Sequence, residues 1–209
     1  MKYVSELVER YAALSPIKAD IEAAVEKIIE SYKNGGKVLL CGNGGSASDS
    51  DHVAGELLKG FLSKRVPVGE ELSRLENQLS EDAIKLQRGI PAIPLPQLSG
   101  VLSAFANDVD PSLVYAQLVY ALGKKGDVLV AFSTSGNSAN VVKAAKCARA
   151  LGIFVISMTG KSGGKLLECS DICLRAPEAE TFKIQEYHLP IYHAICAEVE
   201  YELFEADKQ

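Results

Sequence analysis

The chain has 209 residues, 22 Lys+Arg against 27 Asp+Glu for a formal net charge of −5, and 47% hydrophobic residues beside 23% charged. That length accommodates one α/β domain with a substantial core, and an acidic balance without a Lys/Arg cluster argues against nucleic acid as a partner. No apolar leader stands at the start and no stretch approaches the roughly 18 apolar residues of a membrane span, so a cytoplasmic protein is expected.

Val4, Leu7, Val8, Tyr11, Ala12 and Leu14 recur at helical spacing and predict a helix over 3–14. Ser15 then reads as the N-cap, and Pro16 as the first position, of a second helix with Ile21, Ala24, Val25, Ile28 and Ile29 on its apolar face. Asn34-Gly35-Gly36 closes it as a left-handed C-cap. Both helices precede the first strand, so they could cover the sheet or pack against another subunit.

Val38–Cys41 is a short apolar run of the kind that forms a buried parallel strand. It enters Gly42-Asn43-Gly44-Gly45-Ser46, which opens a helix over 46–62. Glycines here let backbone N–H groups converge without Cβ clash, and the helix N-terminus adds about half a positive charge, so an anion such as phosphate suits the turn. His52 and Glu56 stand four residues apart and share a helix face, as a surface pair or as part of a site.

The stretch 63–89 is the least regular. Leu72, Leu75, Leu79, Ala83 and Leu86 predict an amphipathic helix over 70–87, readable as a surface appendage, a lid or a subunit contact. Residues 91–95 suggest an edge strand with its prolines. A helix over 101–106 leads to Asn107-Asp108, and Asp110-Pro111 starts another that runs to Leu122. The strand Val128–Phe132 is followed by Ser133-Thr134-Ser135-Gly136-Asn137-Ser138 and a helix over 139–150. Four hydroxyls at a helix N-terminus are donors that a phosphate needs.

Strands over 153–157 and 171–174 flank a short helix opened by Gly163-Gly164. Strand alternating with helix gives a parallel sheet covered on both faces, with ligands at the strands' C-terminal ends. The last helix, 180–204, carries Gln185, His188 and His193 on one broad face, with Pro190 expected to kink it. Spacing alone does not choose between the two histidines. Cysteines at 41, 147, 169, 173 and 196 are odd in number and mostly in apolar runs, which reads as reduced core thiols rather than disulfides or a metal pair at 169 and 173.

Gly42-Asn43-Gly44-Gly45-Ser46 with Asp49, His52 and Glu56, then Asn107-Asp108, Ser133 to Ser138, and Gln185-Glu186 with His193, together resemble the phosphoheptose isomerases (sedoheptulose 7-phosphate isomerases) of the sugar isomerase (SIS) superfamily. The resemblance runs over nearly the whole chain. It implies a three-layer SIS fold over 1–209, with a flavodoxin-like five-stranded parallel sheet, extra N-terminal helices, a long C-terminal helix and a helical insertion at about 63–89.

The family's residues carry over by motif. Asn43, Gly44, Gly45, Ser46, Asn107, Asp108, Ser133, Thr134, Ser135 and Ser138 match substrate and phosphate contacts. His52, Glu56, Gln185 and His193 match a Zn²⁺ site, with Glu56 and Gln185 also touching the sugar. The resemblance makes Glu56 the base, His193 the acid and His188 structural, and it implies a homotetramer with active sites at subunit interfaces. No organic cofactor is implied. Ketose–aldose interconversion through a cis-enediol needs one group to move a carbon-bound proton and another to serve the oxygen, which a buried carboxylate facing an imidazole provides.

The chain departs from the family pattern in the length of 63–89, in Asp51 beside His52, and in Lys183 where arginine is frequent. A non-catalytic SIS protein that binds a phosphosugar or docks to a partner is the alternative. Glu56, Gln185 and His193 together favour the enzyme.

Overall fold

The structure, a computed structural model, describes residues 1–206. Five strands, β1 (Val38–Cys41), β2 (Ala92–Pro94), β3 (Val128–Phe132), β4 (Phe154–Thr159) and β5 (Ile172–Arg175), form one sheet in the order β2-β1-β3-β4-β5. All pairings are parallel: Leu39 lies between Ile93 and Leu129, and Ile156 between Val130 and Ile172. The chain winds outward from β1 to β2, then crosses back to β3. Connections leaving β1 and β3 therefore diverge to opposite faces and open a crevice between their C-terminal ends.

The period-two alternation of strand side chains divides the core into two layers. Val38, Leu40, Val130, Phe132 and Met158 face α1 (Lys2–Arg10), α2 (Lys18–Lys33), α3 (Gly45–Leu58) and α9 (Thr181–Phe204). Leu39, Cys41, Leu129, Ala131 and Val155 face α6 (Val114–Leu122), α7 (Ala139–Ala150) and the short α8 (Leu166–Cys169). Two further helices, α4 (Gly69–Leu79) and α5 (Ser99–Asp108), flank β2 in sequence. Both faces of the sheet being covered explains why the strands read as unbroken apolar runs.

Several elements differ from the sequence expectation, each for a local reason. The first helix ends at Arg10, and Ser15 and Pro16 lie inside a 3-10 turn over Ala12–Ile17 rather than starting α2. Leu14 and Ile17, three apart, are both buried there, a spacing that 3-10 geometry eclipses. The C-cap of α2 is as expected: Gly35 has φ 70°, and the N–H groups of Gly36 and Gly35 donate to Ser31 and Tyr32 at 2.8 and 3.0 Å.

The third helix stops at Leu58 rather than near 62, because the N–H groups of Phe61, Leu62 and Ser63 donate to the Glu200 carboxylate instead. The helix expected over 70–87 is broken: α4 ends at Leu79, Ser80 takes φ 50°, and a 3-10 turn follows over Ser80–Lys85. Within that segment only Ala83 is buried, so little tertiary packing holds a single helix together.

The helix α9 continues from Thr181 to Phe204 through Pro190. Among the described residues no helix is long and apolar enough to cross a membrane. The five cysteines are free, and burial pushes the Cys41 and Cys196 thiols up to about 12.

Candidate active site

The turn after β1 is shaped by glycine. Gly44 takes φ 55° and caps α3 without a side chain, and a Cβ on Gly42 would lie 2.5 Å from the Ser46 carbonyl oxygen. Tyr115 holds the turn from beneath, its hydroxyl donating to the Gly42 carbonyl at 2.6 Å. Asn43 and Asn140 exchange two amide hydrogen bonds, each 2.9 Å, which fasten this loop to the first turn of α7.

The hydroxyl loop lies across the crevice at the end of β3. Ser133 and Ser138 hydroxyls meet at 3.0 Å, so Ser138 caps α7 without its side chain bonding the first-turn N–H groups. Asn137 donates to Ser135 through its backbone, 3.1 Å to Oγ, and its side chain, 2.9 Å to the carbonyl. Thr134 is half-buried and accepts the Gly160 N–H at 2.9 Å. Gly136, at φ 66°, packs so closely that a Cβ would lie 1.9 Å from the Gly163 carbonyl. Two helix N-termini thus face one crevice, each a suitable seat for an anion.

Beside them, α3 and α9 bring imidazole and carboxylate together. His52 Nε2 lies 3.3 Å from Glu56 Oε1 and 3.3 Å from His193 Nε2. Lys59 Nζ holds the other Glu56 oxygen at 3.2 Å. Tyr192, nearly fully buried, places its hydroxyl 3.0 Å from His52 Nδ1 and donates to Asp49 Oδ1 at 3.4 Å. Burial pushes the Asp49 carboxyl up to about 6, against the opposing pull of Tyr192 and His52. Burial also lowers His193, with His52 beside it adding to the effect and Glu56 opposing it. His193 is therefore poised as a neutral imidazole.

The SIS domain family model matches residues 2–160. Curated phosphoheptose isomerases are similar throughout: that of Roseiflexus sp. is 39% identical over 185 residues, 88% of this chain and 83% of that protein. That of Mycobacterium tuberculosis is 40% identical over 179 residues, covering 86% and 80%. The solved phosphoheptose isomerase GmhA from Neisseria gonorrhoeae superposes with a TM-score of 0.74 at 32% identity, over 94% of each chain.

The chain belongs to the phosphoheptose isomerase family.

It is thus an aldose–ketose isomerase of the SIS fold. Its two histidines on α9 have separate places. Five residues put them about 140° apart around the helix. His188 is fully buried, its Nε2 3.2 Å from the Thr159 carbonyl, and burial lowers it to about 4. His193 is half-exposed and faces His52. Gln185 packs against the glycine turn, where a Cβ on Gly45 would lie 2.6 Å from its Nε2. Asn107 and Asp108 end α5 on the exposed surface, bonded to each other at 2.8 Å. Among the described residues no hydrogen bond joins Asn107, Asp108 or Gln185 to the imidazoles.

The zinc of the phosphoheptose isomerase resemblance can be tested against these donors. Among the described residues no group of three or more His, Cys, Asp or Glu stands ready as a metal cage. The pairs themselves suit the ion. With bonds of about 2.0–2.1 Å, neighbouring donors on a zinc tetrahedron are about 3.3–3.4 Å apart. Both His52 contacts measure 3.3 Å. The donor types and these two spacings are compatible with zinc.

Sequence reasoning missed Arg65, Glu200, Tyr192 and Asn140. Arg65 sits at φ 45° and donates to the carbonyls of Glu56 and Leu57, at 3.1 and 2.8 Å, and to Glu200 Oε1 at 2.5 Å. Glu198, Glu200 and Glu202 alternate with apolar residues in the last turns of α9, and that alternation was the available signal for Glu200. Of the family departures, Asp51 accepts a hydrogen bond from Gln97, and Lys183 pairs with Glu180 on the exposed face.

Proposed function

We propose that this isomerase interconverts sedoheptulose 7-phosphate and D-glycero-D-manno-heptose 7-phosphate through a cis-enediol. The observation that carries the reading is the meeting of His52, Glu56 and His193 at 3.3 Å contacts beside two anion-binding loops, in a chain about 39% identical to phosphoheptose isomerases.

The loop from Ser133 to Ser138 and the α7 N-terminus would receive the phosphate, with Asn43, Gly44, Gly45 and Ser46 closing on the sugar from the other side. Anchoring the far end of the chain orients the reacting carbons. Glu56 then takes the proton from the carbon next to the ketose carbonyl, and Lys59 holds the second carboxylate oxygen in place. His193, where burial favours the neutral imidazole, moves a proton at the substrate oxygen. Gln185, Asn107 and Asp108 complete the hydroxyl contacts. His52, Glu56, Gln185 and His193 would hold the zinc, which supplies Lewis-acid stabilisation of the enediolate oxygen.

The proposal includes the homotetramer. A groove of about 330 Å³ between α1, α9 and Phe61 opens onto His193, where a second subunit would complete the site. A monomeric mass by light scattering overturns that part.

The reaction is tested by incubating the protein with sedoheptulose 7-phosphate in deuterated water and following exchange and aldose formation by NMR. Exchange in the wild type that falls by at least about 10²-fold in Glu56→Gln supports Glu56 as the base. Exchange that persists in the variant, or inertness of the wild type, overturns the assignment of base or substrate respectively.

A further inference from the structure

The hydrogen-bonding needs of Asp49 decide how the protons run behind His52. The hydroxyl of Tyr192 touches both Asp49 Oδ1, at 3.4 Å, and His52 Nδ1, at 3.0 Å, and it has one proton to give. Asp49 Oδ2 is buried and has no partner of its own. If the hydroxyl donated to His52, neither carboxylate oxygen would keep a donor. Donation to Asp49 leaves the hydroxyl oxygen as acceptor, and the hydrogen bond at one imidazole nitrogen sets the tautomer of the ring.

We propose that Tyr192, backed by Asp49, is a positioning residue that fixes His52 as its Nδ1–H tautomer and turns the Nε2 lone pair toward Glu56 and His193. The ring of Tyr192 is held by Phe132, edge-on at 6.3 Å, and is 2% exposed, so the hydroxyl has little freedom to turn elsewhere. The partners belong to two elements, Asp49 and His52 to α3 and Tyr192 to α9, so the relay also registers the two helices that form the site. Its consequence rests on the reading above that His52 helps hold a metal: a fixed lone pair is a better ligand than a ring free to change tautomer or rotate.

The test uses the full-length, metal-free protein. Ring-nitrogen NMR at about pH 8, above the usual imidazole range, reports each tautomer, with His52→Gln identifying the His52 signals. The expected result is Nδ1–H for His52 in the wild type and conversion toward Nε2–H in both Tyr192→Phe and Asp49→Asn. The double variant should go no further than either single one. Chelator competition with Zn²⁺ as probe should show affinity weakened about 10–100-fold in Tyr192→Phe, with the melting temperature of the metal-free protein close to wild type.

An Nε2–H tautomer in the wild type, or one unchanged by Tyr192→Phe, overturns the proposal. A lower melting temperature with unaltered tautomer and zinc affinity also overturns it, because that is a packing role. A wild type that takes up no zinc but whose tautomer follows Tyr192 refutes the metal reading and leaves the positioning role supported.

Discussion

Glu200 on α9 receives Arg65 from the loop after α3 in a fully buried ion pair, Nε to Oε1 2.5 Å. The same carboxylate accepts the backbone N–H groups of Phe61, Leu62 and Ser63, and the same guanidinium donates to the carbonyls of Glu56 and Leu57. Both charges are thus satisfied several times over, which is the condition under which a buried pair is tolerated. The pair also fixes the end of the helix turn that presents Glu56.

Removing one partner leaves the other charge buried and alone. Glu200→Ala should lower stability by about 3–5 kcal/mol in denaturant unfolding, whereas Arg65→Met combined with Glu200→Leu should recover much of that loss. The double variant should still have reduced kcat, because the carbonyl of Glu56 loses its anchor.

Gly45 offers a way to disturb the site without disturbing the fold. Its added Cβ would meet only the far end of the Gln185 side chain, which can move aside. Gly45→Ala should therefore melt no lower than wild type, since alanine also favours the helix it starts, yet lose on the order of 10²-fold in kcat/KM through displaced Gln185.

His188 makes the fold acid-sensitive. Its ordinary value of 6.5 is lowered to about 4 by burial, so the native ring stays neutral while the unfolded chain takes up a proton. The unfolded state binds more protons across that window, and stability falls as pH drops from 6.5 toward 4, by about 3 kcal/mol in all. His188→Leu should flatten this part of the pH–stability curve. The Thr159 carbonyl keeps its bond from the Ala176 N–H at 2.9 Å, so no orphan acceptor results.

Dialysis against a chelator should abolish isomerisation, and Zn²⁺ should restore it. At about 100 times its Kd the ion should raise unfolding free energy by about 2.7 kcal/mol, an increment His52→Gln should remove. Thermal unfolding with and without zinc measures both.

The strands, the two strand-to-helix turns and the pairing of His52 with Glu56 were legible because each depends on neighbours in sequence: apolar runs, glycines beside a helix start, a four-residue helical step. The strand Val128–Phe132 and the helix Ala139–Ala150 fall where the pattern put them. The helix expected over 70–87 forms only in part, for the complementary reason. Its leucines keep a helical period past Ser80, but with only Ala83 of that segment buried nothing in the core enforces the period, and the backbone turns at φ 50°.

What the sequence by itself determined is the α/β class, the family and the residue types of a sugar-phosphate isomerase, all of them local motifs in a fixed order. Spacing left open which histidine of α9 faces the site, since that depends on which side of the helix meets the sheet; the family resemblance named His193, and the tertiary structure places it beside His52. Only the tertiary structure brought Tyr192 to Asp49 and His52, and Glu200 to Arg65, across separations of 143, 140 and 135 residues. Such contacts leave no periodic trace in the chain, since two surfaces packed together share no spacing until the fold gives them one.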